Sequence, residues 1–436
     1  MLAAAFGALH SAGHHPPRRF RGAGRPLTRR IVWQFGRNRK IEGAVRRKCC
    51  NLSRDPARLA LGATGGDLMK SWLIFVMAWF AWGVLPAGAA PLDQTLAQVM
   101  ERFHFPGAVL LVSGPQGTEI ATAGTANLAA PRPVTEATRF HIASVGKILT
   151  AIATLQLVEE GRLSLDAPVR PFLDPPEATR LTHIDSADVA GLLSHTSGLP
   201  DCLRNGPFSL PEHPSLTWTA SEALRLGRCR AATEPGRFAY SNSNYILLGH
   251  ILEKLDGGDL AEILGRRILA PLGMGDSAVR VATSDPLLAH GHRRNPDQPG
   301  HRPAGPVAWS SRLGDAPLTT TARDLERLMV SLFRPGKTRV LPTRMVAAMA
   351  IERGRADGEG YGLGLQVTET DLGFRYGHSG RFGGFAAEAW YYPDRDRIVI
   401  LLANGDEFSE TDPMDLIEEQ LFPPADLVQA AEIGSP

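Results

Sequence analysis

"HIASVGKILTAIATLQLVEEG", residues 141–161, is apolar along almost its whole length, yet it holds one of the chain's six lysines. Ser144 precedes Lys147 by three residues, among Ile148, Leu149, Ile152, Leu155 and Val158. Residues three apart on a helix share a face. The spacing therefore predicts a helix on which a hydroxyl and an amine point the same way, closing at Gly161, a residue suited to the C′ position. Arginine keeps its proton inside a protein, whereas a desolvated lysine can lose it. A lysine at an apolar helix start can thus accept or relay the proton of a serine nucleophile. The same pair fits a lysine snorkelling to the surface beside a capping serine equally well. A phosphate loop at Gly146-Lys147 is excluded, because His141 stands where a glycine is needed and Ile148 where Ser or Thr is needed.

Outward from this helix the hydrophobic period changes twice. On its N-terminal side "PLDQTLAQVMERFHF" (91–105) has helical spacing, and "GAVLLVSGPQGTEIATAG" (107–124) reads as a hairpin with a glycine in its turn. Residues 162–355 are mostly helical patterns broken by Pro- and Gly-rich loops, among them "ADVAGLLSH", "NYILLGHILEKLDG", "LAEILGRRIL" and "TARDLERLMVSLF". After residue 360 come four strand-like runs, "GLGLQVTE", "FRYGHSG", "FAAEAWYY" and "RIVILLAN", and then the helical "DPMDLIEEQLF". The order predicts an α/β fold: one antiparallel sheet built from both ends of the domain (90–161 and 356–436), flanked by helices, with a mostly helical insertion at 162–355.

The chain has 436 residues and a net charge of +2, with 43% hydrophobic and 21% charged residues, as in ordinary globular proteins. The basic excess lies in residues 1–68, a Pro-, Gly- and Arg-rich leader without sustained periodicity, expected to be disordered or wrongly assigned to the protein. The remainder is acidic and carries no nucleic-acid-binding pattern. "MKSWLIFVMAWFAWGVLPAGAA" (69–90) has the layout of a secretory signal peptide over 69–89, with Ala87 and Ala89 before the cut and Met69 as the expected start. Its apolar run is shorter than the roughly 20 residues of a membrane span, so a membrane association is expected only through residues 72–85 if uncleaved. The expected location is the periplasm or the medium. There Cys202 and Cys229, the cysteines outside the leader, can pair or stay free. No Cys/His spacing marks a zinc site, and the three histidines of "HGHRRNPDQPGHRP" (290–303) read as a solvated loop. No metal or organic cofactor is expected.

Two further stretches carry chemistry. In "PGRFAYSNSNYILLG" (235–249), Tyr240 and Asn242 stand at a loop-to-helix junction. A phenol there can act as base or relay beside a cation such as Lys147, and an asparagine can orient an amide. A packed tyrosine next to a helix cap is the plainer reading. In "YGHSGRFGGFAAEAWYYPDRDRIVILLANG" (376–405), the strand end His378-Ser379-Gly380 and the pair Gly383-Gly384 leave backbone open to an extended substrate. A glycine-rich hairpin with an incidental histidine explains the same residues.

Taken in order, Ser-x-x-Lys, then Tyr-x-Asn about a hundred residues on, then a basic-residue/Ser/Gly triplet on a late strand resemble the motif set of serine β-lactamases and penicillin-binding proteins. The chain most resembles the branch of class C β-lactamases, D-alanyl-D-alanine carboxypeptidases and related esterases and D-aminopeptidases. "LSLDAPV" (163–169), "LLSHTSGLPD" (192–201) and "TTTARDLERL" (319–328) add to a likeness running from about residue 95 to 405. The resemblance implies Ser144 as the acylated nucleophile, Lys147 as its proton partner, Tyr240 as base, and Asn242, His378, Ser379, Gly380 and Arg381 as substrate-binding residues. The oxyanion hole would use the N–H groups of Ser144 and Arg381. His195-Thr196-Ser197-Gly198 is read as shaping the helical insertion. His378 departs from the lysine usual in β-lactamases, which opens peptidase, amidase or esterase chemistry. The expectation is an exported serine hydrolase acting on a small-molecule or peptide substrate, a D-amino-acid peptide or related amide before a small ester. The rival is a non-catalytic relative that binds peptidoglycan fragments or a protein.

Overall fold

The computed structural model describes residues 92–422, apart from 203–218, 227–228, 280, 283, 296–299, 305–312, 335, 337–338 and 407–411. The expected leader and signal peptide, with Cys49 and Cys50, lie outside the described residues. An eight-stranded sheet holds the domain together, in the order β2-β1-β12-β11-β10-β9-β8-β7, with every neighbouring pair antiparallel. The strands β1 (Gly107–Gly114) and β2 (Gly117–Gly124) form the predicted hairpin. Two short pairs stand apart from the large sheet. In them β3 (Phe140–His141) pairs with β6 (Thr319–Thr320), and β4 (His292–Arg294) with β5 (His301–Pro303). The rest of the large sheet is β7 (Gly354–Ala356), β8 (Glu359–Tyr361), β9 (Gln366–Thr370), β10 (Gly373–Phe382), β11 (Phe385–Tyr392) and β12 (Arg397–Ala403). The pairs Ala108↔Ala403 to Ser113↔Ile398 join β1 to β12 and close the sheet across the whole domain.

The central strands read as apolar runs because both faces are covered. On one face α1 (Leu92–Phe103) packs Leu96 and Val99 against Leu110, Trp390, Val399 and Leu401. On the other face lie α2 (Lys147–Glu159), α3 (Val189–Ser194), α4 (Asn242–Asp256) and α5 (Ala322–Phe333), which share one core with Leu111, Ala389, Ile400 and Leu402. The C-terminal α6 (Pro413–Leu421) lies on the α1 face through Met414 and Ile417. The helix α2 is apolar all round because it is buried all round, from Lys147 to Leu155. It ends as its sequence predicts, with Gly161 at φ 68°.

Candidate active site

The start of α2 is where the sheet and the helical layer meet. Its first turn, Ala143–Gly146, is a 3₁₀ turn rather than α-helix, and Ala143 is held at φ 45°. A non-glycine residue in the left-handed region costs on the order of 1–3 kcal/mol and persists where the surroundings fix it. The tight turn still leaves Ser144 and Lys147 on one face, with Lys147 Nζ donating to Ser144 Oγ at 3.0 Å.

Lys147 is fully buried and does not snorkel. Its other two N–H bonds go to Asn242 Oδ1 at 2.9 Å and the Asp315 carbonyl oxygen at 2.8 Å. An ammonium has three donors, and here they meet three acceptors, one of them the nucleophile. If the amine is neutral, two N–H bonds still serve Asn242 and Asp315 while the lone pair faces the Ser144 hydroxyl. Passing the Oγ proton to Nζ turns that neutral pair into ammonium and alkoxide without any heavy atom being displaced.

Tyr240 and Asn242 stand at the start of α4, Tyr240 just before the N-cap and Asn242 as the first helical residue. Ser241 is the N-cap by backbone position, but its side chain makes no cap bond and donates to the Pro200 carbonyl instead. Asn242 does not cap either. Its Oδ1 takes the Lys147 ammonium, and its Nδ2 points to Asp201 Oδ2 at 3.4 Å. The helix-cap alternative thus fails for both residues. Lys147 Nζ lies 5.1 Å from the centre of the Tyr240 ring. Cys202 and Cys229 are bonded to each other. With the Cys202 N–H donating to Ser243 Oγ at 2.9 Å, the segment carrying Asp201 is pinned to the start of α4.

The third stretch forms the end of β10. Pairing with β9 runs from Gly373↔Thr370 to Gly377↔Gln366, and from His378 onward β10 has β11 alone as its neighbour. The Gln366 side chain takes the Ser379 N–H at 2.6 Å, so odd-numbered residues turn their backbone toward this edge, Arg381 among them. Gly380 passes directly over the nucleophile turn. A Cβ there would sit 2.5 Å from the Ile142 carbonyl oxygen and 2.9 Å from the Ser144 nitrogen. The backbones of Ser144 and residues 380–381 are thereby brought together, the arrangement an oxyanion hole needs. The Arg381 side chain is exposed and faces Glu388 electrostatically.

His378 is placed differently from the sequence expectation. It is only 1% exposed. Its Nδ1 donates to the Ser379 carbonyl at 2.5 Å and its Nε2 accepts from the Tyr361 hydroxyl at 3.0 Å. Burial, reinforced by the Lys147 charge, pushes its pKa down to about 3. The ring is neutral and both nitrogens are occupied, so it offers no positive charge to a substrate carboxylate. The same causes hold His195, under Tyr240, well below the ordinary range. Asp315 is shifted upward by burial against the pull of Lys147. Sequence reasoning missed Asp315, which acts through a backbone carbonyl, and Tyr361, whose partner is 17 residues away on the next strand but one. Among the described residues no group of three His, Cys, Asp or Glu could hold a metal.

The β-lactamase family profile matches residues 92–421, and the chain belongs to that family. It is a serine hydrolase of the β-lactamase fold. Penicillin-binding protein 4* of Bacillus subtilis is 24% identical over 73% of this chain and 72% of its own length. Esterase EstB of Burkholderia gladioli is 32% identical over 48% of this chain and 56% of its own. D-aminopeptidase of Brucella canis is 27% identical over 78% of this chain and 64% of its own. The chain thus spans less than two thirds of the last two relatives. Among solved structures, a penicillin-binding protein from Bacillus halodurans superposes with a TM-score of 0.63 at 27% identity, covering 74% of this chain and 97% of that one.

Proposed function

We propose that the protein is an exported hydrolase that forms an acyl-serine intermediate and cleaves D-amino-acid amides or short peptides. The observation that carries this reading is Lys147 Nζ, fully buried and 3.0 Å from Ser144 Oγ. The contact pairs a buried donor, and it also puts an amine within proton-transfer distance of a hydroxyl at the meeting of sheet and helical layer, for which a binding protein has no use. In the first step Ser144 Oγ attacks the substrate carbonyl carbon as its proton passes to the lone pair of the neutral Lys147 amine, a transfer that Tyr240 assists as the base beside it. Negative charge then develops on the carbonyl oxygen, opposite the N–H groups of Ser144 and Arg381. The tetrahedral species collapses, and the leaving amine takes the proton and departs. Tyr240 and Lys147 then activate the water that hydrolyses the acyl-serine.

The neutral, internally paired His378 favours substrates without a carboxylate at that position. That preference supports an amide before a D-alanyl-D-alanine terminus or a penicillin. Two similar proteins point the same way, the D-aminopeptidase of Brucella canis and, for the fold, the D-amino acid amidase of Ochrobactrum anthropi. A small neutral ester satisfies the same requirement and is the second reading. Export rests on the layout of residues 69–90 and is tested by N-terminal sequencing of exported protein. A start near Ala90 is expected, and a chain that keeps residues 72–85 in the membrane would refute it. The activity is tested by intact-mass analysis after exposure to a fluorophosphonate, together with turnover of D-phenylalanine amide and p-nitrophenyl acetate. One adduct on Ser144 and faster amide turnover support the proposal. An adduct with turnover of the ester alone selects the second reading, and no adduct selects a binding protein.

A further inference from the structure

We propose that His195 is a positioning residue that sets the place and tilt of Tyr240, and so ties the base to the helical layer. This rests on the reading of Tyr240 as base. His195 ends α3 in the left-handed conformation, at φ 57°. Glycine or asparagine would meet that backbone requirement at less cost, so the cap does not explain a histidine.

What does explain it is the grip on residues 239–241. The Ala239 N–H donates to the His195 carbonyl at 2.9 Å, and the Ser241 N–H donates to His195 Nδ1 at 3.2 Å. Between those two anchors the imidazole lies against the Tyr240 ring, with 4.2 Å between centroids. Three consecutive residues, the phenol in the middle, are thus registered on one side chain and its own carbonyl. The Nδ1 atom also lies 3.1 Å from Asn244 Nδ2, whose Oδ1 is held by the Ser197 hydroxyl at 2.7 Å. With two N–H groups aimed at it, Nδ1 is the acceptor nitrogen, and the proton sits on Nε2.

Nε2 is buried with no hydrogen-bond partner among the described residues. A fully apolar ring would avoid that unpaired N–H but could not accept at Nδ1. Burial and the nearby Lys147 charge keep the imidazole neutral, so it holds the base without competing for its proton.

The test is the second-order rate at which a fluorophosphonate labels Ser144 in the full chain, followed by intact mass. His195→Phe keeps a stacked ring and removes the acceptor. His195→Asn keeps an acceptor at the Nδ1 position and removes the ring. Misplacing the base should slow labelling by about 10- to 100-fold in His195→Phe, with His195→Asn recovering part of the loss. In a Tyr240→Phe background neither change should slow labelling more than about twofold further, since coupled residues are non-additive. If circular dichroism shows His195→Phe to be unfolded, the His195→Asn pair decides. The same slowing in both backgrounds, or wild-type labelling by the single variants, would overturn this inference alone. Wild-type labelling by Tyr240→Phe, with Ser144→Ala unlabelled, would overturn the reading of Tyr240 and this inference with it.

Discussion

The start of α2 and the end of β10 each bury a basic residue beside the nucleophile, and they treat it in opposite ways. Lys147 meets three oxygen acceptors for its three N–H bonds, one of them the hydroxyl it serves. His378 meets one acceptor and one donor, the Ser379 carbonyl and the Tyr361 hydroxyl. A buried cation is tolerated only where its donors are paired, and a ring offered a donor at one nitrogen is held neutral. Burial is the largest cause of the neutral His378 ring, and the count and kind of partners decides which buried basic side chain can sit beside an oxygen nucleophile as a proton carrier.

The comparison breaks most sharply at the nucleophile. Ser144→Ala should lower turnover by on the order of 10⁴- to 10⁶-fold and leave no acyl adduct, since only binding and the oxyanion donors remain. Lys147→Ala should be nearly as damaging, because it removes the amine placed to take the Ser144 Oγ proton. Steady-state kinetics and intact mass check both, and a Ser144→Ala protein that still acylates at a single serine would end the assignment.

Next in size is Gly380→Ala. The added methyl meets the Ile142 carbonyl and the Ser144 nitrogen, and neither is a flexible side-chain end that can move aside. Displacing β10 from the nucleophile turn should cost about 10²- to 10³-fold in kcat, the value of an oxyanion donor. Destabilisation should be about 1–3 kcal/mol, as for other overpacked sites. Unchanged kcat in the folded variant would mean that the β10 edge does not serve the reaction.

The Cys202–Cys229 bond spans 27 residues, and its loss should lower stability by roughly 3–4 kcal/mol in the loop-entropy description. Because it pins the segment of Asp201 to α4, reduction should also weaken activity before the protein unfolds. Denaturant melts with and without reductant, read alongside activity, test this.

The smallest expected effect sharpens the contrast. His378 gains no charge as pH falls from 8 to 6, since its pKa is held at about 3. The ratio of kcat/KM for a carboxylate-bearing substrate to that for a neutral ester should then change less than about twofold over this range. A ratio that climbs toward pH 6 would show that His378 meets substrate as a cation. Stability should show the ring instead. A histidine depressed from about 6.5 stabilises the fold above that pH and loses this contribution as pH falls toward 3. The slope is about 1.4 kcal/mol per pH unit for one such group.

Local pattern alone determined much here: the hairpin at 107–124, the apolar helix stopped by Gly161, the strand runs after 360, and the three-residue spacing that puts Ser144 and Lys147 on one face. Each depends on a period or a backbone preference within a few residues, and such terms are written along the chain. The structure decided what no period encodes. It placed Asn242 of α4 and the Asp315 carbonyl around one amine, which resolved Lys147 as a donor rather than a snorkelling side chain. It also turned Ser241 and Asn242 away from capping. In the sequence His378 was legible only as the first residue of a strand-end triplet, a histidine where the resemblance has a lysine. Tyr361, two strands away, and the covering helical layer made it a neutral, buried ring. Charge state and partner identity depend on desolvation and on atoms distant in sequence, so the fold itself had to supply them.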